Sequence, residues 1–564
     1  MVACLWNDDE RQLPAIFLCG NILLLVLQRD FILLRDFVYY YETLRFRLMD
    51  EPSGREEFGM SPKGKHTNRR ARRTPPASGR KPGYRISARD VSMTADELQA
   101  FHRQFQPLFQ RREQRAWSLL YLCGQLSDLE RKTIEPMVLS LLGANPNAIR
   151  GLQQFIGQGE WESDPLLLHL QDLVSNWLGE EDGVVIVDGS GFPKQGKHSV
   201  GVAHQYCGAL GKIANCQEGV FLVYASRRGY TFVDERLYMP EDWFGKEARQ
   251  RWKACGIPDT LTFCSEPELG LEMISALHQR GVLPFRWVTC DEKYGGNPAF
   301  LDGIATLGKW YLAEVPVDTR VWLRTPAIEP PGPGLWGRPR LYSRVKSNAP
   351  RPLELRELLL QLPRAVWHQR KIQEGSKGPL VVELACVRVT PIRDALPAPR
   401  CWAIFRRSLA AQPETKYYLC NAPANLPPPE FAPLTGMRWP VETTFEEAKG
   451  EVGLDHFETR TWQGWHHHML QSFLAHLFLM RIRLLFQKKA RRSPQPRLGS
   501  SWHARSAMKL SASQISLPFC TTANRATMRP TALTPSVLVC ACKNELRIIA
   551  KAKSRSNTRS LVVI

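Results

Sequence analysis

A chain of 564 residues, 43% of them hydrophobic, is long and apolar enough to bury several cores, which excludes a disordered or fibrous polypeptide. Its formal charge of +20 points toward a polyanionic partner, yet residues 61–90 hold ten Lys and Arg against one acid and residues 491–564 thirteen against one, so the rest is close to neutral. Both basic segments are rich in Ser, Pro, Thr or Gly and read as weakly ordered tails, so net charge alone does not establish nucleic-acid binding.

The fourteen cysteines show no pair of CxxC motifs with zinc spacing, which predicts reduced thiols in a cytoplasmic chain. In chain order, residues 1–90 read as a poorly ordered or divergent extension ending in a basic linker. Ala15–Gln28 is the one membrane suspect in it; the stretch is too short to span, so a buried helix is expected and no membrane. Residues 91–179 carry apolar positions at three- and four-residue spacing and predict an all-helical domain, a candidate for binding DNA ends.

From 180 to 317 the pattern alternates strands and helices. "VVIVD" is an apolar β-branched run that ends on Asp188 before Gly189 and Gly191, and "WVTCDEKYGG" is a second that ends on Asp291. A lone acid at a strand end is ordinary turn chemistry. Residues 318–433 are rich in proline and short strands and predict a β-rich insertion. Residues 434–490 return to helices: Val441, Phe445, Ala448 and Val452 form a core-facing stripe, while Glu442 and Lys449, seven apart, share another face. Residues 491–564 read as a disordered basic tail.

Two strand-terminal Asp residues and a helix-borne Glu442 are the elements of a two-metal phosphoryl-transfer site, because Mg²⁺ takes hard oxygen ligands from separate elements and keeps waters. Lys194 and Lys197 after the first acid are candidates for phosphate contact, and Trp322 and Trp336 for stacking on an unpaired base. The three consecutive histidines His466, His467 and His468 point three ways on a helix and do not read as a metal site, and Cys207, Cys216 and Cys290 read as core thiols.

"VDGSGFPKQGKHSVGVAHQYCGALGKIANCQEGVFLVYASRRGY", "TCDEKYGG" and "RWPVETTFEEAKGEVGLDHFETRTWQGWHHHM" resemble the insertion sequence 701 family of transposases in the DDE superfamily, over about Ala95 to Gln487. The resemblance implies an α/β fold: a ribonuclease H-like mixed sheet with flanking helices, interrupted by the β-rich insertion and preceded by the helical domain. It implies Asp188, Asp291 and Glu442 as the acidic triad, two Mg²⁺ or Mn²⁺ ions, and DNA as partner, both terminal inverted repeats and target, with a homodimer assembled on the ends and a nucleoid-associated location. The related signature Tyr-x2-Arg-x3-Glu-x6-Lys is met by Arg438, Glu442 and Lys449, with Thr435 where its Tyr would stand. The alternatives are an inactive transposon-derived DNA-binding protein and a ribonuclease H-like nuclease that does not transpose.

Overall fold

The computed structural model describes residues 88–332, 340–375, 378–410 and 412–492. The expectations for residues 1–87, for Trp336 and for the tail after 492 lie outside them.

Among the described residues five α-helices come first: α1 (Ala88–Arg103), α2 (Arg112–Gln125), α3 (Ile134–Leu142), α4 (Pro146–Gly157) and α5 (Asp164–Leu178). Local chemistry sets their ends. Asn145 accepts the Ala148 N–H and Pro146 takes the first helical position, where a missing N–H costs nothing.

Strand β1 (Val184–Pro193) opens the sheet, followed by β2 (Ala203–Cys207), β3 (Lys212–Ser226) and β4 (Gly229–Tyr238). Helices α6 (Arg249–Cys255) and α7 (Glu266–Arg280) lead to β5 (Trp287–Cys290), and α8 (Pro298–Thr306) leads to β6 (Trp310–Glu314). β3 runs antiparallel to β1, β2 and β4, whereas β5 is parallel to both β1 and β6. An antiparallel meander followed by two parallel strands reached through helical crossovers is the ribonuclease H-like arrangement.

One expectation is corrected here. β1 does not end at Asp188 but runs on to Pro193, because its other edge stays paired with β3, Asp188 lying opposite Phe221 and Pro193 opposite Cys216. Glycine at 189 and 191 is what the strand needs. A Cβ on Gly189 would lie 2.8 Å from the buried Glu218 Oε1, and one on Gly191 2.8 Å from Cys207 Sγ.

The strands of the proline-rich stretch do not stand apart from the sheet. β7 (Arg320–Trp322), β8 (His368–Gly375), β9 (Gly378–Arg393), β10 (Cys401–Ser408) and β11 (Thr415–Cys420) continue the same sheet, β11 pairing antiparallel with β6 through Tyr418 and Glu314. Helices α9 (Arg438–Glu447) and α10 (Trp462–Arg492) complete the described chain.

α10 is the spine of the core. It packs against α2, α4, α5 and β4, so the N-terminal helices and the sheet share one hydrophobic interior. Its window Trp462–Gln487 is long and apolar enough to cross a membrane by composition, but 78% of that window is buried inside the protein. A helix apolar on all sides is a core helix when protein surrounds it. Its polar residues are paired across that core: His468 Nδ1 meets the Tyr121 hydroxyl at 2.7 Å, Gln125 donates to Ser472 at 2.7 Å, and His476 lies 3.0 Å from Thr231. Phe473 stacks on Phe232 at 4.5 Å, and burying each such ring contributes about 1.5–3 kcal/mol.

Candidate active site

Strand register sets the site. Val187 pairs with Cys290 and Cys290 with Ala313, each the last pair of its parallel ladder. The next residues are Asp188 on β1, Asp291 just past the end of β5 and Glu314 on β6, three acids at one level of strands about 4.8 Å apart. Pairing between β1 and β5 ends one step below the two Asp residues, so the sheet opens between them.

Asp188 is largely buried and accepts the Gly189 N–H at 2.8 Å. Burial first, and then the neighbouring Asp291, push its carboxyl up to about 7, against the pull of Arg438. Asp291 caps the turn Glu292–Gly295 and accepts the N–H of Lys293 at 3.0 Å and of Tyr294 at 3.4 Å. That turn lies so close on β6 that a Cβ at Gly295 would sit 1.9 Å from the Glu314 carbonyl oxygen, which explains the glycine.

Helix α9 lies over the row. Arg438, its first residue, places Nη2 3.7 Å from Asp188 Oδ2 and Nη1 3.5 Å from Glu314 Oε2. Burial opposes its charge, but Asp188, Asp291, Glu314 and Glu442 more than offset this and raise its pKa. Glu442, one turn on, is exposed, and its charge bears on both Asp188 and Arg438. Glu446, the competing acid of this helix, is exposed as well. The stripe Val441, Ala448 and Val452 is fully buried, with Phe445 packed beside it.

The other expected contacts divide. Lys449 lies just past the end of the α-helix at Glu447, in residues 448–452, which widen into a π turn. Its ammonium lies 5.4 Å from the Phe192 ring and 5.9 Å from the Phe445 ring, and burial lowers its pKa. Lys194 is tied to the loop before α10, donating to the Phe457 carbonyl at 3.1 Å with its ammonium 3.3 Å from that ring; burial pushes it down to about 8. Lys197 is exposed. Trp322 is corrected: it is 5% exposed and its indole donates to the Pro350 carbonyl at 3.0 Å, so no face is open to a base. Thr435 is buried, its hydroxyl bonded to the Ala432 carbonyl. The histidine run is structural, His467 stacking on Trp161 at 3.5 Å and His466 pairing with Glu235 at 2.7 Å.

Sequence reasoning missed Glu314 and Lys416, which meet at 2.9 Å. The signal was there in "WYLAE", a third apolar strand ending on an acid. It also missed Glu218 and Glu266, buried acids behind Gly189; burial and then Glu266 raise Glu218 to about 8.

Among the described residues no three His, Cys, Asp or Glu side chains are already gathered closely enough to hold a metal ion. The donor chemistry nonetheless fits a hard divalent cation. Two carboxylates stand on adjacent strands, and their mutual repulsion, visible in the raised Asp188, is what a bound cation would relieve.

A partly buried acid row at the open end of a parallel strand pair, with Arg438 and Glu442 on the helix over it, makes a candidate site for metal-dependent phosphoryl transfer on a ribonuclease H-like sheet. Residues 104–379, just under half of the chain, match the family model of the DDE superfamily endonucleases. The chain is 24% identical over 336 residues to the probable transposase for insertion sequence element IS701 of Microchaete diplosiphon, covering 59% of this chain and 74% of that one. Among solved structures it aligns with a piggyBac transposase synaptic complex with hairpin DNA (TM-score 0.32, 10% identity, 79% of this chain and 84% of the other). It also aligns with the NurA nuclease from Sulfolobus solfataricus (TM-score 0.20, 10% identity, 60% and 94%). Both scores are too low to bear on function.

Proposed function

We propose that the chain cuts DNA at the terminal inverted repeats of its own insertion sequence and joins those ends to target DNA, with Asp188, Asp291 and Glu442 as the acids of the site. The observation that carries this is the register that sets Asp188 beside Asp291, with α9 bringing Arg438 and Glu442 over the same opening.

Asp188 and Asp291 would hold the Mg²⁺ or Mn²⁺ ions on rigid strands, and Glu442 would complete the set from the helix. Two such ions, when bound, lower the pKa of the attacking water or hydroxyl and stabilise the leaving oxygen of an in-line displacement. Arg438 offers a forked guanidinium to the phosphate of the DNA end. Burial of Asp188 keeps bulk water off the reacting phosphate. The exposed Glu442 leaves the site open on the side from which a duplex enters. Lys194, Lys197 and Lys449 sit around β1 and add positive charge along the path of the DNA backbone. The helical region 91–179 supplies end binding, two copies assemble on the paired ends, and the work is done at the nucleoid.

The test is cleavage of a library of DNA fragments flanking the coding sequence, with Mg²⁺ and with chelator. Metal-dependent cuts at a fixed position beside an inverted repeat, followed by strand-transfer products, are expected. Cutting without regard to end sequence would instead identify a general nuclease, and end binding with no cutting an inactive DNA-binding descendant.

A further inference from the structure

Glu314 belongs to none of the motifs that led to the site, and its position is the most constrained in the acid row. It is 5% exposed, it stands one strand from Asp291 at the same level, and its two oxygens lie 2.9 and 3.3 Å from Lys416 Nζ. Lys416 comes from β11, in the β-rich stretch, so the partner of this acid is fixed by the sheet itself.

Arg438 is held differently. It reaches across the row to Asp188 on one side and Glu314 on the other, at 3.7 and 3.5 Å, by charge rather than by tight hydrogen bonds. Its Nε is buried without a hydrogen-bond partner. A guanidinium carries five donors in a rigid fork, and a buried donor left open is costly unless a further acceptor arrives. Lys416 already neutralises Glu314, so the acid has no need of a second cation for its own stability. What the second contact fixes is the place of the guanidinium.

Resting on the transposase reading above, we infer that Glu314, locked by Lys416, is a positioning residue for Arg438. It holds the guanidinium across the acid row with its open donors turned to the phosphate of the DNA end. It thereby sets affinity for that end and not the metal requirement of cleavage.

The experiment measures binding of the full chain to a labelled duplex of flanking DNA by fluorescence anisotropy, for Glu314→Gln, Arg438→Gln and the double variant. Glu314→Gln is expected to weaken binding about tenfold, Arg438→Gln at least as much, and the double variant no more than Arg438→Gln alone, because Glu314 acts through Arg438. The divalent-metal concentration for half-maximal cleavage should be unchanged in Glu314→Gln. Additive losses, wild-type binding by Glu314→Gln, or a shifted metal requirement would overturn the inference.

If Glu314→Gln does not fold, Lys416→Met releases the lock while keeping the acid. It should show the same non-additivity with Arg438→Gln, and additivity there is equally fatal. Asp188→Asn separates the two readings. If it still cuts, the assignment of the acids fails; if it binds without cutting while Glu314→Gln binds as wild type, only the role of Glu314 fails.

Discussion

Replacing Asp188 by Asn should stabilise the metal-free protein while destroying its chemistry. The carboxyl titrates near 7 in the fold against an ordinary value of 3.8, because burial and Asp291 disfavour its charge. The folded state therefore binds this proton more tightly than the unfolded chain. That contribution is fully present below pH 3.8, falls as pH rises, and is gone above about 7, where it has cost on the order of 4 kcal/mol at about 1.36 kcal/mol per pH unit.

Asn carries no charge and can still accept the Gly189 N–H, so the variant escapes this loss. Urea unfolding of both proteins in chelator at pH 5 and pH 8 should show the advantage of Asp188→Asn growing by about 2–3 kcal/mol between the two. Added Mg²⁺ should raise the stability of the wild type and not of the variant, since a ligand that binds only the folded state stabilises it by mass action. Cleavage by the variant should be undetectable with end binding retained. A stability difference that does not change with pH, or cleavage at the wild-type rate, would refute the reasoning.

Glu442→Gln should also abolish cleavage, but it changes an exposed side chain and should move stability by no more than about 0.5 kcal/mol, readable as an unshifted melting curve. Glu447 lies in a largely buried cluster, 2.6 Å from Arg483 and 3.2 Å from the Tyr230 hydroxyl; burial would raise it, but His476 and Arg483 outweigh this and hold it at about 2. Glu447→Gln leaves Arg483 uncompensated and should cost about 3–5 kcal/mol at pH 7 in urea unfolding, an effect that fades as pH falls below 4.5 toward 2. Burial depresses His468 to about 3, so its neutral form supports the fold above pH 6.5 and that support is lost on acidification. Between pH 6.5 and pH 5 the wild type should lose about 2 kcal/mol from this group, and His468→Gln should lack that part of the slope in the same assay.

The sequence alone determined the strands and helices of the candidate site, since both depend on local pattern. Apolar runs ending on Asp188 and Asp291 and the stripe from Val441 to Val452 were visible as spacing, and the motif that joins Arg438 to Glu442 lies within one helical turn. What it could not determine was everything that depends on which edges pair. β1 continues past Asp188 because β3 keeps bonding it, and the β-rich stretch joins the sheet because β11 lies beside β6. Trp322 has its indole committed to the Pro350 carbonyl, and Lys449 falls in a π turn after the α-helix ends. Glu314 is the clearest case. Its strand was legible, but an acid at a strand end means nothing until register sets it beside Asp291 and a helix more than a hundred residues later places a guanidinium between them, because register and long-range packing are set by the whole sheet and not by any one segment.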